Sequence, residues 1–557
     1  MTVALGRRSG STPRGDALGG RGERGDARIW RWAAVPFGVV YLFLLATQFD
    51  GVLTNTYLDA DVVSAPVIGQ LFGSAPAHAN VVLGTFGWYA TLLFELATKW
   101  IPAHRQLWEV TPYALALAGA ALTAWSVWQV AGRWAASLTA VLMICAAPAT
   151  LHLLLATSQH APDWFCLALL AAFVVLLELR GVALRPAVVW AMVLVVGGAV
   201  GVNAASDPLV VIAGVAPFAL ALAAGYVLVR GPASARALQL GIATLAITAV
   251  TWVLTDVVMS ALDVAPQSGL HTTMLASGEK IASNFKLWWQ SIAVLGNGDF
   301  FGLKLSFTSG LAGACAVLSV GAVVLLPPAG WRELRVHAAA AASPARPASP
   351  ASPARLGFMV FWCSSAALLS LAFLFSATPV DIHADRYLVG VIYAAAAVIP
   401  AMASGLLAEA AVLVGTCIFA LAGVISMAQG TVKRNPNGFL TTAVMHQIAQ
   451  TATEHQLGTG YAGYWDAAPI TWAADFRIHV YPVSICDQNA HLCRFDLHVI
   501  SSWYTPRPGT KSFLITDPSL ANVSAPTPDL GPPSAVYHVG RVTMYAYPYD
   551  LATKLVR

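Results

Sequence analysis

Residues 208–229 read PLVVIAGVAPFALALAAGYVLV, an apolar run with no charged side chain, bounded by Asp207 and Arg230. At a rise of roughly 1.5 Å per residue, a helix of this length crosses about 30 Å of hydrocarbon. Inside lipid every backbone N–H and C=O needs a partner within the segment or a closed sheet. The run is apolar on all sides, which excludes the alternating strands of a membrane barrel and leaves the helix. The pattern recurs at Trp32–Gln48, Val110–Val130, Trp134–Leu155, Trp164–Leu179, Pro186–Ala204, Ala237–Met259, Gly310–Leu326, Gly357–Ala377, Tyr387–Ser404 and Ala410–Met427. The chain of 557 residues is 57% hydrophobic and 10% charged, with a mean hydropathy of +0.66. This is the composition of an α-helical polytopic membrane protein with about eleven transmembrane helices.

Arginine placement orients it. The tail 1–31 carries Arg7, Arg8, Arg14, Arg21, Arg24, Arg28 and Arg31 with no apolar core of a cleavable signal ahead of them, so the amino terminus is expected in the cytoplasm of a plasma (inner) membrane protein. Threading onward puts Arg133, Arg180, Arg185, Arg230, Arg236, Arg332, Arg335, Arg346 and Arg355 on that same side. Counting Asn80–Ile101 as a span would reverse them all. Val81–Trp100, with Glu95 and Lys99 inside it and Trp88, Tyr89 and Trp100 suited to an interface, is therefore read as a helix lying on the outer surface. The membrane module is thus 32–428, with outer loops 49–109 and 260–309.

An odd number of spans leaves 429–557 outside. Its composition turns polar and aromatic, with β-prone runs at Ile478–Val483 and Val542–Tyr547, which predicts a small α+β or β-rich extracytoplasmic domain. Five cysteines lie in apolar spans. Cys486 and Cys493, in the outer region, are placed to close a short disulfide loop in an oxidising compartment; two free thiols is the other reading. The Ser-Pro-Ala-rich stretch Ala338–Arg355 reads as a disordered cytoplasmic linker. A net charge of only +4, with its bases in loops on one side, gives no sign of nucleic-acid binding.

Chemistry concentrates on the outer face. Tyr57-Leu58-Asp59-Ala60-Asp61 follows the first span by about ten residues. His160 and Asp163 precede the fourth span and Asp207 the sixth; the loop 260–309 holds Lys280 and Lys286; Asp381, His383, Asp385 and Arg386 stand before the tenth. Charges at a bilayer are costly unless they meet partners or line a wet cavity, so a polar cavity opening outward is expected.

In its first span, early acidic motif, surface helices, span count and outer carboxyl-terminal region, the chain resembles the GT-C superfamily of integral membrane glycosyltransferases. The resemblance implies transfer of a sugar from a polyprenyl-phosphate donor to a glycan or lipid acceptor, with inversion. It makes Asp59 the general base and sets Asp61 beside it, orienting the acceptor or a metal ion. A carboxylate is suited to the task because a sugar hydroxyl is a poor nucleophile until its proton is taken. The leaving lipid phosphate needs cations, for which Arg386 leads, followed by Lys280 and His383. His160, Asp163, Asp207 and Asp381 are substrate-pocket candidates. No cofactor is required, and a divalent metal is compatible with the acidic pair.

Each residue also has an ordinary explanation. Asp59 and Asp61 could cap the helix that follows. Asp207 before Pro208 looks like a helix start, and Asp163 invites the same reading. Asp385 could simply pair with Arg386. Other functions fit the same membrane chemistry: a lipid-linked glycan polymerase or ligase, a flippase or transporter, or a scaffold carrying the outer domain. A transporter would show paired halves with broken helices. No internal repeat is visible, and Asp256 lies in a span only near its end. The topology makes a direct prediction: alkaline phosphatase fused after Arg557 is active, and a fusion that works only as a cytoplasmic reporter overturns the span count.

Overall fold

The computed structural model describes residues 29–48, 60–72, 80–83, 88–146, 160–180, 184–266, 274–341, 351–379, 382–429, 440–486, 491–520 and 523–556. Among these, ten helices are long and apolar enough to cross a membrane: Trp30–Thr47, His104–Ala131, Ala161–Leu179, Pro186–Ser206, Pro208–Val229, Pro232–Ala261, Phe307–Ala341, Pro353–Phe375, Ala384–Met402 and Leu406–Ala428. They answer to ten of the expected spans. The remaining one, expected over Trp134–Leu155, is a helix of 12 residues, Arg133–Ile144, whose expected continuation lies outside the described residues.

Local chemistry sets the boundaries. Pro186, Pro208 and Pro232 each open a helix, where a missing N–H costs nothing. Ser306 and Ser309 form a reciprocal capping box ahead of Phe307. Between helices, small residues permit close approach in a solvent that offers no hydrophobic drive. Gly197 and Gly201 press the Pro186–Ser206 helix onto Pro232–Ala261, so that a Cβ on Gly201 would stand 2.7 Å from the Thr248 carbonyl. Thr248 Oγ1 donates to the Gly197 carbonyl across the same seam, 3.2 Å. The membrane core is filled by Trp164, Phe218, Phe358, Phe361 and Trp362, all essentially buried. Glu178 also lies within a span; it is buried and accepts from Ser234 Oγ at 2.9 Å.

Two expectations change. The stretch Val81–Trp100 is not one helix: Val81–Leu83 is a strand (β1) and the helix begins at Trp88 and ends at Thr98. The reason is long-range pairing. β1 runs parallel to β2 (Val264–Pro266), and antiparallel to β6 (Val499–Ile500), which outweighs the local helical pattern. The expected linker Ala338–Arg355 is helical at both described ends, as parts of Leu326–Ala341 and Ala351–Phe375, and 342–350 lies outside the described residues. The Ala and Arg content extends the helices instead of breaking them.

The carboxyl-terminal region carries a six-stranded mixed sheet, in the order β5 (Leu492–Arg494), β4 (His479–Ile485), β3 (Thr459–Ala462), β7 (Ser512–Thr516), β9 (Val542–Tyr547) and β8 (Ala535–Val539). Helices Thr442–Glu454 and Tyr464–Ala473 share its core through Ile448, Ala467, Ile470 and Phe513. A disulfide joins Cys486 to Cys493, with Cα atoms 5.8 Å apart. A second apolar core is shared by this region and the helices Ala60–Phe72 and Trp88–Thr98: Val63, Ile68 and Leu92 pack with Trp472, Tyr481 and Trp503.

Helix Ala60–Phe72 lies against Trp88–Thr98, where Gly69 makes room for the Glu95 side chain. Glu95 is fully buried and accepts from Gln70 Nε2 at 2.8 Å. Burial pushes its carboxyl up to about 7, against the opposing pulls of Gln70 and Lys99. The folded state therefore holds a proton that the unfolded chain releases near 4.5, so stability is present at low pH and falls as pH rises toward 7. We expect the melting temperature of the purified protein to fall between about pH 5 and 7 and Glu95→Gln to flatten that slope; an unchanged slope in the variant refutes the assignment.

Candidate functional site

Asp61 stands in the first turn of Ala60–Phe72. A helix start exposes N–H groups that a carboxylate could cap, but Asp61 is engaged elsewhere. Tyr464, at the head of the helix Tyr464–Ala473, donates its hydroxyl to Asp61 Oδ1 at 2.7 Å. The same hydroxyl lies 2.5 Å from Nδ1 of His498. Its single hydrogen is directed to the carboxylate, so the His498 ring must bring the other, which assigns the Nδ1–H tautomer. His498 is buried, and burial drives its basicity down to about 3 against the pull of Asp61. It is a neutral imidazole, able to position Tyr464 without cancelling the carboxylate charge.

The cation opposite Asp61 is Arg386. It sits in the tight turn Ile382–Leu388 that leads into a span, with Nη1 3.5 Å from Asp61 Oδ2, across 325 residues of chain. That length marks an ion pair more than a firm hydrogen bond. The guanidinium also lies 5.3 Å from the Tyr387 ring centre, with Nη2 3.4 Å from the Tyr387 hydroxyl. Asp61 and Arg386 keep 17% and 31% of their side chains exposed, so the pair is reachable rather than sealed.

Behind Tyr387 lies a buried charge cluster. The His160 ring centre is 5.3 Å from that of Tyr387. His160 Nδ1 is held by Asp163 Oδ2 at 3.2 Å and by a shorter contact to Asp207 Oδ2. Burial alone would strip the imidazolium of its proton, but Asp207 and then Asp163 outweigh it and lift His160 to about 10. Asp207, although buried, is held below the usual carboxylate range by the His160 charge, assisted by the Leu209 N–H at 2.8 Å. Asp207 thus caps the Pro208 helix and joins a buried polar cluster.

The helix Gly278–Leu295 packs against the same turn. Ser277 caps the helix Gly278–Leu295, and Lys280 in its first turn donates Nζ to the Pro379 carbonyl. Asn284 binds the carbonyls of Phe373, Leu374 and Ser376 at 3.2, 3.0 and 2.8 Å, fixing this helix to the end of Ala351–Phe375. The structure therefore brings Asp61, Arg386, His160, Asp163 and Asp207 into one chain of contacts and sets Lys280 beside the segment carrying Arg386. Asp59 and Asp381 lie outside the described residues, as does the side chain of His383.

Sequence reasoning assigns none of Tyr387, Tyr464 and His498 a place in this network. His498 is flanked by apolar residues in Leu497–Ile500 and adopts a φ of 53°; a lone histidine at a left-handed bend is the one hint sequence offers, and only its turn propensity is legible. A cavity of about 10 Å³ beside Tyr464 and His498, floored by Ser64 and Trp503, has room for one water and not for a sugar.

His160, Asp163 and Asp207 offer ligand atoms within 4.8 Å of one another, the donor set of a divalent-cation site. Both carboxylates, however, converge on one nitrogen of a strongly basic imidazole, which is the geometry of a clamped imidazolium. A metal would have to displace that proton. Asp61, the other metal candidate, already faces a guanidinium and a phenol.

No protein-family model and no curated protein sequence matches the chain. Among solved structures it is similar to ArnT from Cupriavidus metallidurans in the apo state, with a TM-score of 0.51 and 14% identity, covering 94% of this chain and 100% of that one. It is likewise similar to ArnT from the same organism bound to undecaprenyl phosphate, with a TM-score of 0.51 and 15% identity, covering 92% and 98%. The fold is therefore similar to that of ArnT over almost the whole chain.

The clamp around His160 is testable. Removing one partner of a buried charge leaves the other uncompensated, at a cost of about 3–5 kcal/mol. We expect Asp207→Asn to lower the melting temperature sharply and His160→Gln in the same background to recover part of it. An Asp207→Asn protein as stable as the parent refutes the clamp.

Proposed function

We propose that the chain is a membrane glycosyltransferase that moves a sugar from a polyprenyl-phosphate donor to an acceptor hydroxyl at the outer membrane face, with inversion. The observation that carries this reading is the Asp61–Arg386 pair, which joins the first outer loop to the turn before a late span. On a fold similar to ArnT, a guanidinium held by a carboxylate and left partly exposed suits a lipid-linked phosphate, which supports this reading. One ArnT structure has undecaprenyl phosphate bound to it, which supports the donor class without fixing the sugar.

In this mechanism Asp59 takes the proton of the acceptor hydroxyl. The hydroxyl oxygen forms a bond to the anomeric carbon as the bond from that carbon to the phosphate oxygen breaks, and the phosphate leaves with the electron pair. Arg386 meets the developing phosphate charge, aided by Lys280 and His383. Asp61 holds the guanidinium in place through its ion pair, and Tyr464, itself set by His498, holds Asp61. His160 acts behind Tyr387 as a positioning group, while Asp163, Asp207 and Asp381 belong to the pocket. Direct displacement accounts for inversion. No metal is needed where guanidinium and ammonium groups supply the charge.

The same reading places the protein in the plasma membrane, with 1–31 cytoplasmic, the membrane module over 32–428 and the region 429–557 outside. The disulfide between Cys486 and Cys493 supports the last placement, since such bonds persist in oxidising compartments.

The test is transfer from polyprenyl-phosphate sugars by purified protein. Asp59→Asn should fold and lose transfer, whereas Arg386→Gln should slow it by about 10²–10³, the scale of one lost transition-state contact. Full transfer by Asp59→Asn sinks the proposed base; full transfer by Arg386→Gln sinks the phosphate site.

A further inference from the structure

A cavity of about 470 Å³ lies at the opposite end of the membrane region from Asp61. Arg386 lies in the first turn of the span Ala384–Met402, and the cavity is bounded by the far end of that helix, Pro400–Ser404, roughly 20–25 Å away along the helix. Nothing in the proposed transfer reaction uses it. Its volume is that of a small-ligand site.

Six charged residues line it: Arg31, Arg133, Arg332, Arg355, Glu333 and Glu409. Arg31 pairs with Glu409, and Arg355 Nε pairs with Glu333 at 3.2 Å. Arg133 and Arg332 make no ion pair among the described residues. Four guanidiniums against two carboxylates therefore leave two positive charges, carried by residues from separate helices. Arg133 lies over the Trp128 ring at 5.5 Å, which leaves its N–H edge available. Two further donors of the lining, Arg31 Nε and Trp134 Nε1, are buried and find no acceptor among the described residues. A surplus of fork-shaped donors without acceptors calls for an anion with several oxygens.

We propose that this cavity is a binding site for a phosphate group, carried by an anionic lipid headgroup or by a soluble phosphate ester. A tetrahedral phosphate can take N–H bonds from Arg133 and Arg332 at once, which a carboxylate in one plane does less well. Trp134 lines the cavity, Trp128 lies under Arg133 and Trp331 precedes Arg332 in sequence, and tryptophans and headgroup phosphates meet at membrane interfaces. The site is separate from the transfer reaction, so either can fail alone.

The full-length protein in phosphatidylcholine nanodiscs provides the test. Phosphatidylglycerol is added to the discs, or glycerol 3-phosphate to the buffer, and bound copies are counted by native mass spectrometry alongside the melting temperature. Wild type should retain one phosphatidylglycerol, or one glycerol 3-phosphate, with a raised melting temperature. Arg133→Gln with Arg332→Gln should weaken that by at least about tenfold, the effect of one lost charged contact. Arg230→Gln with Arg236→Gln, which removes equal charge from another loop, should leave it unchanged. Glycerol 3-phosphate displacing the lipid identifies a soluble ester as the source; failure to displace identifies the headgroup. Should the glutamine pair not fold, Arg133→Lys with Arg332→Lys keeps the charge, loses the fork and should still bind more weakly. Wild type that binds neither ligand, or a glutamine pair no weaker than the control pair, overturns the site.

Discussion

One guanidinium facing one carboxylate, at the start of a membrane-length helix, organises this end of the protein. Neither Arg386 nor Asp61 is tolerable there alone, because a bare charge at a bilayer must find a partner or water. Their pairing ties the start of the helix Ala60–Phe72 to a turn hundreds of residues later. What surrounds the pair serves to keep it half open. Tyr464 and a neutral His498 hold the acid from one side, and Tyr387 backs the base from the other. A histidine made neutral by burial and another kept charged by two aspartates lie on either side of one ion pair. The contrast follows from environment alone: His498 is buried with one distant carboxylate in play, whereas His160 is clamped by two.

The membrane helices were legible because span length is set by bilayer thickness and the apolar runs match it. Proline and aspartate at helix starts marked several boundaries to within a few residues. Reading failed where partners are distant in sequence. Val81–Leu83 has helical surroundings and becomes a strand only because Val264–Pro266 and Val499–Ile500 flank it. No window of sequence contains that information. The alanine-rich stretch after Val336 was read as disordered from its prolines, yet alanine's helix propensity carries the helix through to Ala341.

The site was legible as a set of charges and not as a network. Asp61, Arg386, His160, Asp163 and Asp207 stand out in a chain so poor in charge, and the structure brings them together. Tyr387, Tyr464 and His498 do not stand out, since aromatic residues are abundant and a buried histidine has no spacing rule. Their roles come from geometry: a hydroxyl has one proton to give, and where it goes decides what its neighbours must do.

The sheet formed by β1, β2 and β6 draws its three strands from three distant segments, around Val81–Leu83, Val264–Pro266 and Val499–Ile500. On the ribosome, β1 and β2 emerge long before β6, with a delay on the order of tens of seconds at ordinary elongation rates. Until then, β1 has one edge unpaired, and an open edge is a template for wrong partners. Until the last strand arrives to latch the three segments together, that edge is where the growing chain is open to mispairing.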